Sequence, residues 1–169
     1  MKKVVLLVLF LLSSAAGWSQ NPIAYDLFDK ALKKAEGGNT KGAIDDYSKA
    51  IRIDPLFASA YLNRALLKQK LGDIKGALND VNTTIKIEPK RSDAYTTRAD
   101  MNYKAKDYKS TIEDCTMSIS LNEKDYIAYN LRGLSNFHAQ NKKNACADFT
   151  KAIQFGSQSA VKNKKMFCK

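Results

Sequence analysis

Residues 42–55 read GAIDDYSKAIRIDP, and 34 residues later the chain reads GALNDVNTTIKIEP at 76–89. Two fainter copies follow in step, STIEDCTMSISLNE at 110–123 and NACADFTKAIQFGS at 144–157. Asp46, Asp80, Asp114 and Asp148 recur at intervals of 34, and so do Ile51, Ile85, Ile119 and Ile153. A period held without a slip confines the fold to a repeat array, in which each unit buries its apolar face against the next.

Within one unit the pattern is helical. Ala60, Tyr61, Arg64, Ala65 and Leu71 recur about one turn apart, Gly72-Asp73 interrupts, and Ala77, Leu78, Val81, Thr84, Ile85 and Ile87 resume at offsets of three and four. Each unit therefore reads as two amphipathic helices joined by a tight turn. The turns fall at Gly38-Asn39, Gly72-Asp73, Lys106-Asp107 and Asn141-Lys142, where Gly accepts a positive φ and Asn or Asp caps the next helix. Small residues recur on both helices: Ala31, Ala65, Ala99 and Gly133 on the first, Ala43, Ala77, Thr111 and Ala145 on the second. They let the two helices approach closely, with Leu27, Tyr61, Tyr95 and Tyr129 filling the space beside the contact. Helices of about 13–15 residues are marginal alone in water, so stability must come from stacking.

These residues resemble the tetratricopeptide repeat family. The second unit carries the likeness in A60-Y61-x-N63-R64-A65, L71-G72-D73, A77-L78-x-D80 and I85-x-I87-E88-P89. The chain departs from the pattern at Lys30, where the later units have Arg, and at Glu123 and Ser157, where Pro55 and Pro89 close the earlier ones. The resemblance implies an all-α fold, a right-handed α-solenoid of four helix-turn-helix units at about 24–57, 58–91, 92–125 and 126–157. It also implies a C-terminal capping helix at about 158–167, with Val161, Met166 and Phe167 packed inward.

Residues 1–19 read differently. Lys2 and Lys3 precede an unbroken apolar run, Val4–Leu12, and then SSAAGWSQ. That is the layout of a secretory signal peptide, cleaved after Ser19 or after Gly17, and the run is too short to span a membrane. No Cys near the cut offers a lipidation site. The expectation is an exported protein, periplasmic or secreted, without a transmembrane anchor. Its net charge falls from +11 to 11 − 2 = +9 on cleavage. Export argues against nucleic acid as the partner of this basic chain. The lysines are spread along it, apart from Lys162, Lys164, Lys165 and Lys169, and read as a solvated surface with a basic end.

The periodic charges read as structural. Arg64, Arg98 and Arg132 recur with the four aspartates, either across the junctions (Asp46–Arg64, Asp80–Arg98, Asp114–Arg132) or within a repeat (Arg64–Asp80). The missing first Arg favours the junction scheme, because a first repeat has no predecessor to supply an acid. The period argues against a catalytic role for these acids, since it matches the scaffold and one active site would not require it. Of three cysteines, Cys115 stands where Tyr47, Val81 and Phe149 stand in other units and reads as a buried apolar residue. Cys146 and Cys168 are placed to bridge the last repeat to the capping helix; three free thiols are the alternative. No CxxC pair, and a lone His138 without ligand-like neighbours, argue against redox chemistry and a metal site; no cofactor is implied.

No nucleophile, phosphate loop or acid pair stands apart from the repeat, so the chain reads as a non-catalytic interaction scaffold. The resemblance implies a concave groove lined by the first helices, here Tyr25, Phe28 and Leu32, Leu62, Leu66 and Gln69, Thr96, Asp100 and Tyr103, and Ile127, Asn130, Leu134, Phe137 and His138. Such a row suits a peptide rich in apolar or aromatic side chains. The carboxylate clamp of some family members is not matched: only Asn63 resembles it, and Asp93 and Thr97 stand where basic residues belong. The alternative is a self-associating component of an envelope assembly.

Overall fold

The computed structural model describes residues 21–169, so the expected signal peptide and its cleavage site lie outside the described residues. Nine helices follow one another there without a strand: α1 (Pro22–Glu36), α2 (Thr40–Ile53), α3 (Ala58–Lys70), α4 (Ile74–Ile87), α5 (Ser92–Lys104), α6 (Tyr108–Leu121), α7 (Tyr126–His138), α8 (Lys142–Gln154) and α9 (Gln158–Phe167). Consecutive odd and even helices pack as antiparallel pairs, and each pair stacks on the next. The all-α repeat array read from the period is the observed fold.

The turns inside the pairs share one chemistry. Asn39, Asp73, Asp107 and Asn141 each accept the backbone N–H three residues on, at 3.0, 2.9, 3.1 and 3.3 Å. The residue before each cap is left-handed: Gly38 and Gly72, then Lys106 and Gln140 at φ 63° and 61°. The fourth turn is thus Gln140-Asn141, one residue earlier than Asn141-Lys142. Side chains tolerate that φ poorly, so the two later turns carry strain that the Gly turns lack. Losing Pro at the third junction changes little: Asp125 N donates to Asn122 O at 3.1 Å, as Phe57 N does to Asp54 O at 3.2 Å. The fourth junction does differ, with Gly156 at φ 100° and Ser157 capping α9.

Ala31, Ala65 and Ala99 on the first helices, and Ala43, Ala77, Thr111 and Ala145 on the second, are wholly buried. Gly133 is buried too, and has a further reason to be small. A Cβ there would lie 2.7 Å from the Phe149 ring and 3.2 Å from Ala145 O. The cap also packs near that ring, where Phe167 lies 6.2 Å from Phe149 and 4.2 Å from Phe137, centroid to centroid. A disulfide joins Cys146 to Cys168 and ties the end of α9 to α8.

The inward stripe of α9 is Ala160, Asn163 and Phe167, at offsets of three and four. Val161 and Met166 fall out of phase with it. They are 48% and 63% exposed, against the expectation that they pack inward.

Candidate functional site

The Arg–Asp ladder closes within repeats, not across junctions. Arg64 holds Asp80 through Nε and Nη2 at 2.8 and 2.6 Å, Arg98 holds Asp114 at 2.9 and 2.6 Å, and Arg132 holds Asp148 at 3.0 and 2.7 Å. The third arm of each guanidinium crosses the junction instead. Nη1 donates to Ser48, Asn82 and Thr116 of the preceding repeat. Each Arg also lies over a ring, Tyr61, Tyr95 or Tyr129, at 5.5–5.7 Å. Asp46 has no Arg and takes Lys34 and Lys49; these hydrogen bonds hold its carboxyl below the ordinary value.

A second column completes the ladder. Lys34, Lys68, Asn102 and Asn136 stand 34 apart and bond Asp46, Asp80, Asp114 and Asp148 respectively. Their signal was the same period that marked the aspartates. The buried acids therefore have their lone pairs occupied by structural donors and present no free carboxylate. Cys115 is buried, and burial pushes its thiol well above the ordinary value, which leaves it a poor nucleophile.

The predicted groove residues divide into two groups. Leu66, Thr96, Asp100, Tyr103, Ile127, Asn130 and Leu134 line one concave cleft of about 680 Å³ between α3, α5 and α7. The others do not reach it. Tyr25 and Phe28 stack on Phe57 at 4.6 and 4.8 Å, and Leu32 joins the same core. Leu62 is buried, Phe137 lies under Phe167, and His138 stacks on Tyr108 at 4.6 Å. Gln69 stands behind the cleft and donates to Asp100 at 2.9 Å.

One column accounts for part of this split. Phe28, Leu62, Thr96 and Asn130 stand 34 apart; Phe28 and Leu62 are covered, whereas Thr96 and Asn130 bond the next unit and still line the cleft. Phe28 meets Phe57, Thr96 donates to Asp125 at 2.6 Å, and Asn130 accepts from Asn163 of the cap at 2.9 Å. Phe57, Arg91 and Asp125 are themselves 34 apart, so an apolar junction contact becomes a polar one along the array.

The cleft also contains residues the groove reading missed: Ser92, Asp93, Thr97, Lys104, Asn122, Asp125 and Leu131. Leu66 and Ile127 are 44% and 52% exposed in it. Around this apolar floor stand Asp93, Asp100 and Asp125 against one lysine, Lys104. Asp125 is consumed by Thr96, Ser118 and the α7 cap. Asp100 keeps Gln69 and Lys104, the latter at 2.6 Å, and Asp93 keeps Arg91 at 2.8 Å. Burial, with Tyr108 beside it, pushes the Tyr103 phenol up, so it stays a neutral hydrogen-bonding group at the rim. The site offers apolar contact, hydrogen bonds and acidic partners. Among the described residues no cluster of three His, Cys, Asp or Glu side chains is placed to hold a metal ion, and no helix is long and apolar enough to cross a membrane.

The family profile described as TPR repeat matches residues 31–72. A search of curated proteins by sequence returns no match. Solved structures share the fold. MamA protein is 21% identical, with a TM-score of 0.72 over 79% of this chain and 73% of its own. The pilF protein of Pseudomonas aeruginosa is 18% identical, with a TM-score of 0.76 over 83% and 65%. YrrB, described as a TPR protein with an unusual peptide-binding site, is 17% identical, with a TM-score of 0.73 over 85% and 75%. At these identities the likeness establishes the tetratricopeptide-type solenoid and nothing finer.

Proposed function

We propose that this tetratricopeptide-type solenoid is a non-catalytic interaction scaffold that takes a partner segment in the cleft between α3, α5 and α7. The observation that carries the reading is the exposure of Leu66 and Ile127 on an apolar floor ringed by Asp93 and Asp100. The array does not need those side chains exposed, and apolar side chains gathered in a concave surface are the usual mark of a binding site. The acids select against an acidic segment and favour one that places Lys or Arg beside an apolar anchor. The peptide-binding site named for YrrB supports the reading by analogy of fold. The signal-peptide layout of residues 1–19 supports a location outside the cytoplasm, and the N-terminal sequence of the protein recovered from cell fractions tests it.

The binding test is a displayed library of random peptides selected on the protein. The control is a Leu66→Ser, Ile127→Ser variant; both side chains are exposed, so the fold is kept. Enrichment of apolar-plus-basic peptides that the variant no longer retains is the expected result. Selection of nothing, or equal retention by the variant, overturns the cleft as the site.

A further inference from the structure

The charge of the chain is unevenly placed. Residues 142–169 hold seven lysines and a single acid, Asp148, which Arg132 already holds. The third repeat, 92–125, holds seven acids against five bases. On α9 the outward face combines Val161 and Met166, both exposed, with Lys162 and Lys165, and Lys169 follows just beyond the helix end. An exposed apolar pair set among lysines is the chemical complement of the cleft, an exposed apolar pair set among aspartates.

We infer that the cleft's occupant is α9 of a second copy of this chain, which deepens the scaffold reading and rests on it. The helix cannot serve its own cleft. Asn163 is bonded to Asn130, Phe167 lies on Phe137, and the disulfide ties Cys168 to α8. Its own α9 is thereby fixed at the cleft's edge with Val161 and Met166 turned away. In a second copy, Val161 and Met166 meet Leu66 and Ile127, and Lys162 and Lys165 reach Asp93 and Asp100, displacing Arg91 and Lys104 as partners. The two surfaces differ, so the contact is heterologous. It closes if two copies exchange caps and otherwise propagates as an open chain.

Charge reversal tests this with residues 20–169, which hold every described helix. One variant carries Lys162→Glu and Lys165→Glu, the other Asp93→Lys and Asp100→Lys; circular dichroism establishes that both are folded. Sedimentation of the unaltered protein should show mass rising above the monomer with concentration, weakened by salt because the contact is charged. Each variant alone should associate at least about tenfold more weakly, since its altered surface now repels its own counterpart. An equimolar mixture should regain association, because each variant's cap then matches the other's cleft.

A monomer at every concentration overturns the inference, as does association that neither variant alters or that the mixture does not restore. The peptide selection separates that failure from failure of the scaffold reading. A monomer that still retains apolar-plus-basic peptides through Leu66 and Ile127 has a foreign partner, whereas a monomer that retains none loses both.

Discussion

A double-mutant cycle on Asp114 distinguishes the two ways of closing the ladder. Its carboxylate is buried, accepts two bonds from Arg98 at 2.9 and 2.6 Å, and takes a third from Asn102 at 3.1 Å. Removing one partner of a fully buried pair costs about 3–5 kcal/mol. The Arg98 side chain keeps 28% of its surface in water, so solvent recovers part of that. Asp114→Ala should therefore cost ~2–3 kcal/mol, Arg98→Ala somewhat more because it strands the more buried carboxylate, and the double variant less than their sum by ~1–2 kcal/mol. The same cycle on Asp114 and Arg132 should be additive to within about 0.5 kcal/mol, because Arg132 is committed to Asp148 and Thr116. Urea unfolding suits the assay, since it leaves the charges unscreened. Equal m-values across the set are needed, because a repeat array can unfold in stages. A coupling to Arg132 as large as that to Arg98 would refute the pairing.

Gly133→Ala gains about 1 kcal/mol of helix propensity but pushes a methyl group into the buried Phe149 ring, at about 1–3 kcal/mol. The melting temperature should fall, and Phe149→Leu should reverse the sign of the substitution. Reducing the Cys146–Cys168 bridge, which spans 22 residues of sequence, should cost ~3 kcal/mol on the chain-entropy account. Hydrogen exchange should then quicken first in α9. Burial raises the Tyr47 phenol from 10.0 to about 12. Its contribution is complete below the unfolded value and is lost as pH rises through that interval, by on the order of 2–3 kcal/mol. Urea midpoints at about pH 9 and about pH 11.5 should differ for the natural protein and differ less for Tyr47→Phe, in which the buried Cys115 and the half-buried Tyr103 still contribute.

The period made the helices, their caps and their small contact residues readable, because each of these is a local property repeated four times. The ladder's pairing was not readable from spacing. Arg64 and Asp80 are centred on the turn at Gly72, and Asp46 and Arg64 are centred on the turn at Pro55, so both schemes looked alike. The absent first Arg misled because its meaning lies in its neighbours. Leu27 replaces the tyrosine that the guanidinium covers in later repeats, and Lys34 and Lys49 supply Asp46. The groove was half readable for a related reason. Tyr25, Phe28 and Leu32 look like surface anchors until Phe57 is placed on them. What a first-helix residue meets in the next unit depends on the residue 29 places later, as Phe28 with Phe57 and Thr96 with Asp125 show.

The third arm of each arginine has a mechanical consequence. Inside a pair, α5 and α6 are locked by two guanidinium bonds, buried small residues and a capped turn. Between pairs, the ladder contributes one bond, Arg98 to Asn82 or Arg132 to Thr116. The chain is therefore a series of stiff plates on softer hinges. The cleft spans α3 to α7, so both of those hinges lie beneath it. Replacing Asn82 or Thr116 with alanine should remove that bond between plates while leaving the paired bonds inside each plate intact. Residues on the second helices, none of which lines the cleft, thus share in holding the plates that form it.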